Sequence, residues 1–350
     1  MMEKLDGIMT CRLHRLLTES SRVTVVSHTH PDGDAVGSST AMCAFLKALG
    51  KDARVIFPTP VGEHISFISG DILPGIFSID PKGCSERIAA SDLLICLDFN
   101  ALSRTDDMAQ PLRDSKAPKV LIDHHLAPAV EEFDLCFSRT EVSSASELLY
   151  QILLEMPEIQ GDPSRLPALS RDALMAGMTT DTNNFANSVF PSTLVMASGL
   201  LAAGVDRDAI LSALYNCFSE GRVRLFGHML EEAMQITPSG VAVMFLTQEV
   251  LNRYGVDESD TEGLVNQPLA IASVIMSILV KEQPDGTLRV SVRSKRGVSA
   301  NMCARTFFHG GGHEQAAGGK ILVPEDVPSA ADAGEYAARS AEKFIGGDEQ

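Results

Sequence analysis

Carboxylate and imidazole side chains recur in four clusters along the first half of the chain, in types and spacings that can hold two divalent metal ions. They are His28, His30, Asp32 and Asp34 in HTHPDGD, then Asp98, then Asp123, His124 and His125, then Asp181. In the first cluster Asp32 and Asp34 can point to opposite sides of a turn shaped by Pro31 and Gly33, and so serve different ions. Carboxylates joined by one or two imidazoles favour Mn2+ or Mg2+ over zinc, which recruits thiolates or more histidines. Two cations about 3.5–4 Å apart repel unless an anion lies between them, and Asp98 is the candidate for that bridge. In Asp123-His124-His125 one imidazole can ligate a metal while the other faces substrate. Asp123 is then free to hold a histidine by its second ring nitrogen. Asp181 can complete the set or merely end its helix. His30 reads as a supporting or substrate-side group. His14, His64 and His228 lack acidic or glycine-rich context and read as ordinary. The chemistry that such a cage performs is hydrolysis of phosphate esters by water activated between two metals.

The second half supplies groups suited to a phosphate. Gly310, Gly311 and Gly312 let backbone N–H groups approach an anion closely, and His313 adds a donor. Arg293 with Ser294 is the choice for phosphate contact, because a guanidinium fork matches phosphate oxygens. Arg289, Lys295 and Arg296 complete a local basic patch, with Arg289 open to reading as a solvated strand residue. Arg104, six residues beyond Asp98, is either a cation near the metals or a salt-bridge partner.

These residues must be carried by rigid elements. Residues 22–27, 53–57, 92–97 and 119–122 are short apolar runs that read as strands, continuous rather than alternating. Residues 35–49 carry Met42, Phe45, Leu46 and Leu49 at helical spacing, and Gly50 fits the stop. Continuous apolar strands separated by helices imply an α/β fold with a parallel sheet covered on both faces. Ligands bind outside the carboxyl ends of such strands, and His28, Asp98 and Asp123 all fall there. Helices are expected over 144–155, 171–180, 192–203, 206–217 and 222–235, with Ser192 and Asp206 as N-caps. Strands resume at 241–246, 269–280 and 288–293, the last two joined by a turn at Pro284-Asp285-Gly286. A closing helix is expected over 329–344. The organisation expected is a catalytic domain over 1–190, a helical linker region over 191–237 and a smaller mixed α/β domain over 238–350.

With 350 residues the chain suits two domains. A net charge of −17 argues against duplex DNA as a partner, since a long phosphate backbone would be repelled. Seven cysteines without a CxxC pair suit a reducing cytosol, with Cys43 and Cys96 as small core hydrophobes. No apolar run is long enough for a signal peptide or a membrane span, so a cytoplasmic enzyme is expected. No GxGxxG follows the first strand, which excludes a dinucleotide-dependent dehydrogenase. A nucleotide-binding module without catalysis is disfavoured because every expected ligand is present.

The set HTHPDGDAVGS, LDFN, DHH, TTDTNNF and GGGHEQAAGG, in this order over nearly the whole chain, resembles the DHH phosphoesterase superfamily with a DHHA1-type second domain. It is most similar to the branch of bifunctional oligoribonucleases and 3′-phosphoadenosine 5′-phosphate (PAP) phosphatases. The resemblance implies that His28, Asp32 and Asp98 hold one Mn2+, and that Asp34, Asp98, His124 and Asp181 hold the other, with Mg2+ as the alternative metal. His125 would face the scissile phosphate and Asp123 would support it. Arg293, Ser294, His313 and Gly310–Gly312 would bind substrate from the second domain, across a cleft. Short RNA oligonucleotides or small phosphorylated nucleotides are the implied substrates, and a homodimer the implied assembly. Cyclic or linear dinucleotides, pyrophosphate and polyphosphate are rival substrates of the same cage. One departure is Asn183-Asn184, where relatives often carry glycine, which bears on the shape of the loop after Asp181.

Overall fold

The computed structural model describes residues 5–312 and 314–347, so His313 lies outside the described residues. It divides into two units, residues 1–217 and 218–350.

The first unit is built on six parallel strands: β1 (Arg22–Val26), β2 (Asp52–Phe57), β3 (Gly75–Ile76), β4 (Leu93–Leu97), β5 (Lys119–Asp123) and β6 (Leu135–Ser138). Their order is β3-β2-β1-β4-β5-β6. β1 and β4 are neighbours, with Val26 beside Cys96, and the chain departs from them in opposite directions across the sheet. This is the switch point at which an open α/β sheet leaves a crevice at its carboxyl edge. Successive residues of the central strands feed two cores. Val25, Ile95 and Ile122 join one hydrophobic cluster, while Val26, Cys96 and Leu121 join another. Both faces are therefore dry, which is why these strands read as continuous apolar runs. Burial pushes the Cys96 thiol up to about 12.

The helices of this unit are α1 (Gly7–Glu19), α2 (Gly33–Ala48), α3 (Pro81–Ala89), α4 (Ala109–Asp114), α5 (Ala145–Leu154), α6 (Ala168–Asp181), α7 (Pro191–Ala202) and α8 (Arg207–Tyr215). Every residue of α2 from Gly33 to Leu46 is buried, so the one-sided helix expected from Met42, Phe45 and Leu46 is in fact enclosed. Small residues permit that. A Cβ on Gly37 would stand 2.6 Å from the Ala173 carbonyl and 2.9 Å from Gly177 Cα, so α2 and α6 meet backbone to backbone. That contact sets the start of α2 beside the end of α6, and hence Asp34 near Asp181. Asp206 caps α8 as expected, accepting from Ala209 N–H. Ser192 does not cap α7. Pro191 opens that helix, and the Thr193 hydroxyl accepts from Phe190 N–H.

The second unit holds α9 (Glu220–His228), β7 (Gln235–Ile236), β8 (Val241–Leu246), α10 (Gln248–Tyr254), β9 (Met276–Glu282), β10 (Leu288–Ser294), α11 (Ala300–Phe307), β11 (Gly311–Gly312), β12 (Ala316–Ile321) and α12 (Ala333–Gly346). Its sheet runs β11-β12-β10-β9-β8-β7, parallel only between β8 and β9. The strand expected over 269–280 begins instead at Met276, because Leu264–Ala270, with Pro268 inside, forms a tight 3-10 turn. The β9–β10 hairpin closes at Gly286, whose φ is 83°. No helix among the described residues is long and apolar enough to cross a membrane.

Candidate metal centre

The carboxyl ends of β1, β4 and β5 deliver their side chains to one pocket. His28 stands two residues past β1, Asp98 follows β4 directly, and Asp123 ends β5 with His124 and His125 behind it. Asp32 and Asp34 come from the N-terminus of α2, and Asp181 from the last residue of α6. Three overlapping groups each place one donor atom per residue within 4.8 Å: His28, Asp32 and Asp98, then Asp34, His124 and Asp181, then Asp98, His124 and His125. Asp32 and Asp34 thus do part company, one toward His28 and the other toward His124.

Asp98 lies at the centre. Its Oδ2 is 3.6 Å from His28 Nε2 and its Oδ1 is 3.3 Å from His124 Nε2. It is buried, its Oδ1 accepts no well-directed hydrogen bond, and its φ of 63° is in the left-handed region. A non-glycine residue held there is strained, and such strain gathers at functional sites. The histidines are pre-oriented. His28 Nδ1 lies 2.8 Å from the Thr29 carbonyl, so that nitrogen carries a proton and Nε2 is the ring atom turned to the pocket. His125 Nδ1 lies 2.7 Å from Asp123 Oδ1, while His125 N–H donates to Asp123 Oδ2. Fully buried Asp123 thereby fixes the His125 ring.

Asp32 caps α2, its Oδ1 accepting from the N–H groups of Asp34 and Ala35. Asp34 Oδ2 accepts from Ala145 N–H at 2.6 Å and Oδ1 from Ser146 N–H at 2.9 Å, both in the first turn of α5. Those two amides, aligned with the helix dipole, hold a carboxylate firmly.

The electrostatics mark a cage that is short of positive charge. Burial, then the Asp34 charge, raises the Asp181 pKa to about 9. Burial, then the Asp98 charge, raises that of Asp34 to about 7. Burial lowers the pKa of both histidines, but the Asp98 carboxylate and its acidic neighbours outweigh it, lifting His28 to about 9 and His124 to about 10. Burial raises Asp98 too, yet the two imidazoles prevail and hold it below the usual carboxylate range. A crowd of carboxylates, Asp34 and Asp98 buried and Asp32 and Asp181 open to solvent, with an orphaned oxygen at its centre fits hard divalent cations, which would replace the protons.

Other sequence candidates sit differently. Exposed His30 has φ 52° and donates its N–H to Thr59 Oγ1. Arg104 is exposed, and it is its carbonyl that ties to the site, accepting from Thr29 N–H. In the second unit, Arg293 Nη1 donates to the Val292 carbonyl at 2.9 Å, and buried Ser294 donates to the Val298 carbonyl at 2.6 Å. Gly310 N–H bonds to the Ala304 carbonyl and Gly312 N–H to Asn301 Oδ1. Gly311 and Gly312, read in the sequence as offering N–H groups to an anion, form a strand edge paired with Gly318 and Ala317. Arg289 is exposed and pairs with Glu258. Two contributors were missed by the sequence reading. One is the α5 amide pair that holds Asp34. The other is Asn100, whose Nδ2 donates to the Leu126 carbonyl and whose own carbonyl accepts from Ala129 N–H, bracing the loop after His125. Ser144, the N-cap of α5, was the readable signal for the first, and for the second the signal was the asparagine that closes LDFN.

The DHH family N-terminal domain model matches residues 22–178, and the DHHA1 domain model matches residues 239–339. The chain is 26% identical over 317 residues to the bifunctional oligoribonuclease and PAP phosphatase NrnA of Bacillus subtilis, spanning 89% of this chain and 93% of that protein. It is 25% identical over 319 residues to the cyclic-di-AMP phosphodiesterase PdeA of Listeria monocytogenes, covering 87% of this chain and 46% of PdeA. The crystal structure of an exopolyphosphatase-related protein from Bacteroides fragilis superposes with a TM-score of 0.90 at 29% identity, over 99% of this chain and 100% of the other.

Proposed function

The chain belongs to the DHH phosphoesterase family, with a DHHA1 domain in its second half, and from that premise we propose that it is a Mn2+-dependent hydrolase of short oligoribonucleotides, trimmed from an end to mononucleotides, and of the 3′-phosphate of PAP. The observation that carries the reading is the position of Asp98, with one oxygen toward His28 and the other toward His124. A single carboxylate so placed can serve two ions. His28, Asp32 and Asp98 would hold one, and Asp34, Asp98, His124 and Asp181 the other. When bound, such a pair supplies Lewis acidity, acidifying water and offsetting charge on phosphoryl oxygens.

The chain's own residues do the rest. Asp123 orients the His125 ring through Nδ1, and His125 is assigned to the scissile phosphate. The Asp98 and Asp34 carboxylates, tied to imidazoles and to helix amides, keep the cage from collapsing on the substrate. Arg293 brings a guanidinium with donors beyond those given to backbone carbonyls, and with Ser294, Gly310–Gly312, His313 and Arg104 it is assigned to substrate phosphate and nucleotide.

The likeness to NrnA along nearly the full length of both chains favours nanoRNA and PAP. A second reading, favoured by the likeness to PdeA, is hydrolysis of cyclic-di-AMP or linear pApA. A panel of PAP, five-nucleotide RNA, pApA, cyclic-di-AMP, pyrophosphate and polyphosphate, each with Mn2+, decides between them. Phosphate released from PAP and mononucleotides from the pentamer are expected. Turnover of cyclic-di-AMP or pApA alone, or of the inorganic substrates alone, would displace the first reading.

A further inference from the structure

Glu147 is a fully buried carboxylate that takes no part in the proposed chemistry. It sits in the first turn of α5, and every partner it has is a donor. Ser143 N–H at 2.9 Å, Ser143 Oγ at 2.6 Å and Thr193 Oγ1 at 2.6 Å all give to Oε2, and Gln151 Nε2 at 3.1 Å gives to Oε1. No cation pairs with it among the described residues. A carboxylate buried without a counter-ion is costly even when it is well hydrogen-bonded, so its presence asks for a reason.

The reason lies in what surrounds it. Ser143 precedes Ser144, the N-cap of α5, whose hydroxyl accepts from Glu147 N–H. The next two amides, of Ala145 and Ser146, are those that hold both oxygens of Asp34. Thr193 belongs to α7 and accepts from Phe190 N–H, so the carboxylate also ties α5 to the start of that helix. Glu147 therefore fixes residues 143–146 from beneath, while their amides grip a pocket carboxylate above.

We propose that Glu147 is a positioning residue for the Asp34 half of the metal centre, acting through the first turn of α5. The inference rests on the two-ion reading above and assigns one ion's affinity to a residue that never touches it. A group that orients a metal-binding carboxylate typically sets affinity by about 10–100-fold. Glu147→Gln keeps the volume but removes the charge and one of the two acceptors, so an NH2 must face either the Ser143 and Thr193 donors or Gln151 Nε2. Ser143→Ala removes a single hydroxyl and leaves the backbone bond in place.

Mn2+ binding to the full chain is followed by isothermal titration calorimetry, with the metal-free melting temperature recorded for each variant. The unsubstituted chain is expected to take two ions in separate steps. E147Q should weaken one step about 10-fold or more and leave the other unchanged, and S143A should weaken the same step by less. Unchanged binding in E147Q, or equal weakening of both steps together with a lowered melting temperature, overturns the proposal. Should E147Q fail to fold, S143A decides alone, selective weakening supporting the proposal and unchanged affinity overturning it. An unsubstituted chain that binds no Mn2+ sinks the metal reading itself, a result distinct from two normal steps that E147Q leaves untouched.

Discussion

The metal pocket of the first unit and the arginine–glycine region of the second treat their polar groups in opposite ways. In the pocket, Asp98 Oδ1 is buried without a directed hydrogen bond, and the pKa values of Asp34 and Asp181 are driven up by burial and then by a neighbouring carboxylate, Asp98 for the first and Asp34 for the second. Around Arg293 the polar groups have internal partners: Ser294 gives to Val298, and Gly310 and Gly312 give to Ala304 and Asn301. The first region is electrostatically incomplete until cations arrive. The second has its backbone shape set by internal bonds, whatever it binds. Damage should therefore show as lost metal in one, and as lost fold or substrate affinity with metal retained in the other.

The largest effect expected is from Asp98→Ala, which removes the carboxylate that faces both His28 and His124. Mn2+-dependent hydrolysis should fall to background and calorimetric Mn2+ binding should disappear, since a single bridging anion offsets the repulsion of two close cations. Full activity in this variant would end the bridge assignment. The mirror experiment is Gly310→Ala. A Cβ there would be driven onto the Gly318 carbonyl and within 2.5 Å of Gly319 Cα, both backbone atoms that cannot turn aside. Loss of about 1–3 kcal/mol in denaturant unfolding is expected, with Mn2+ binding retained. Lost Mn2+ binding with intact stability would erase the contrast between the regions.

A gentler probe of the contrast is pH. The folded pKa values of Asp34, Asp181, His28 and His124, about 7, 9, 9 and 10, all stand above their unfolded values of about 3.9 for Asp and 6.5 for His. The metal-free folded chain then binds more protons than the unfolded chain, so stability present at low pH is lost as pH rises through those values. Asp98 has the opposite sign, but its loss falls in strong acid, below this window. Melting temperatures of chelator-treated protein should drop between about pH 6 and 9, and saturating Mn2+ should flatten the slope because metal displaces those protons. A metal-free melting temperature that climbs across the same range would contradict this account of the pocket.

The strand-end ligands were legible in the sequence because each follows a run too apolar to be anything but a buried strand, and Asp98 or His124 can then be placed at one sheet edge without coordinates. What was not legible depended on close backbone contact. The full enclosure of α2 comes from Gly37 meeting Gly177, 140 positions later in the chain, and a one-helix pattern cannot show it. The glycine run at 310–312 advertised an anion loop, whereas its smallness is demanded by the strand it lies against. Glu147 in SSASE carries no mark in the sequence, and its burial and its bond from Thr193 of α7 are tertiary facts.

The smallest expected effect concerns the loop after Asp181, at Asn183 and Asn184. Their φ angles are 45° and 56°, and Phe185 follows at 66°, so the chain makes the left-handed turn that glycine would give. Asparagine tolerates that region better than other residues with a Cβ. The turn is also held from outside. Arg207 donates to Asn184 Oδ1 and stacks over the Phe185 ring, 5.4 Å from its centroid. Asn183→Gly should therefore change melting and Mn2+ affinity little. Asn183→Val forces a β-branched residue into the same conformation and should cost about 1–2 kcal/mol, with weaker Mn2+ binding because Asp181 lies only two residues away. If valine is tolerated on both measurements, the turn does not steer Asp181, and the pocket owes its geometry to the α2–α6 contact alone.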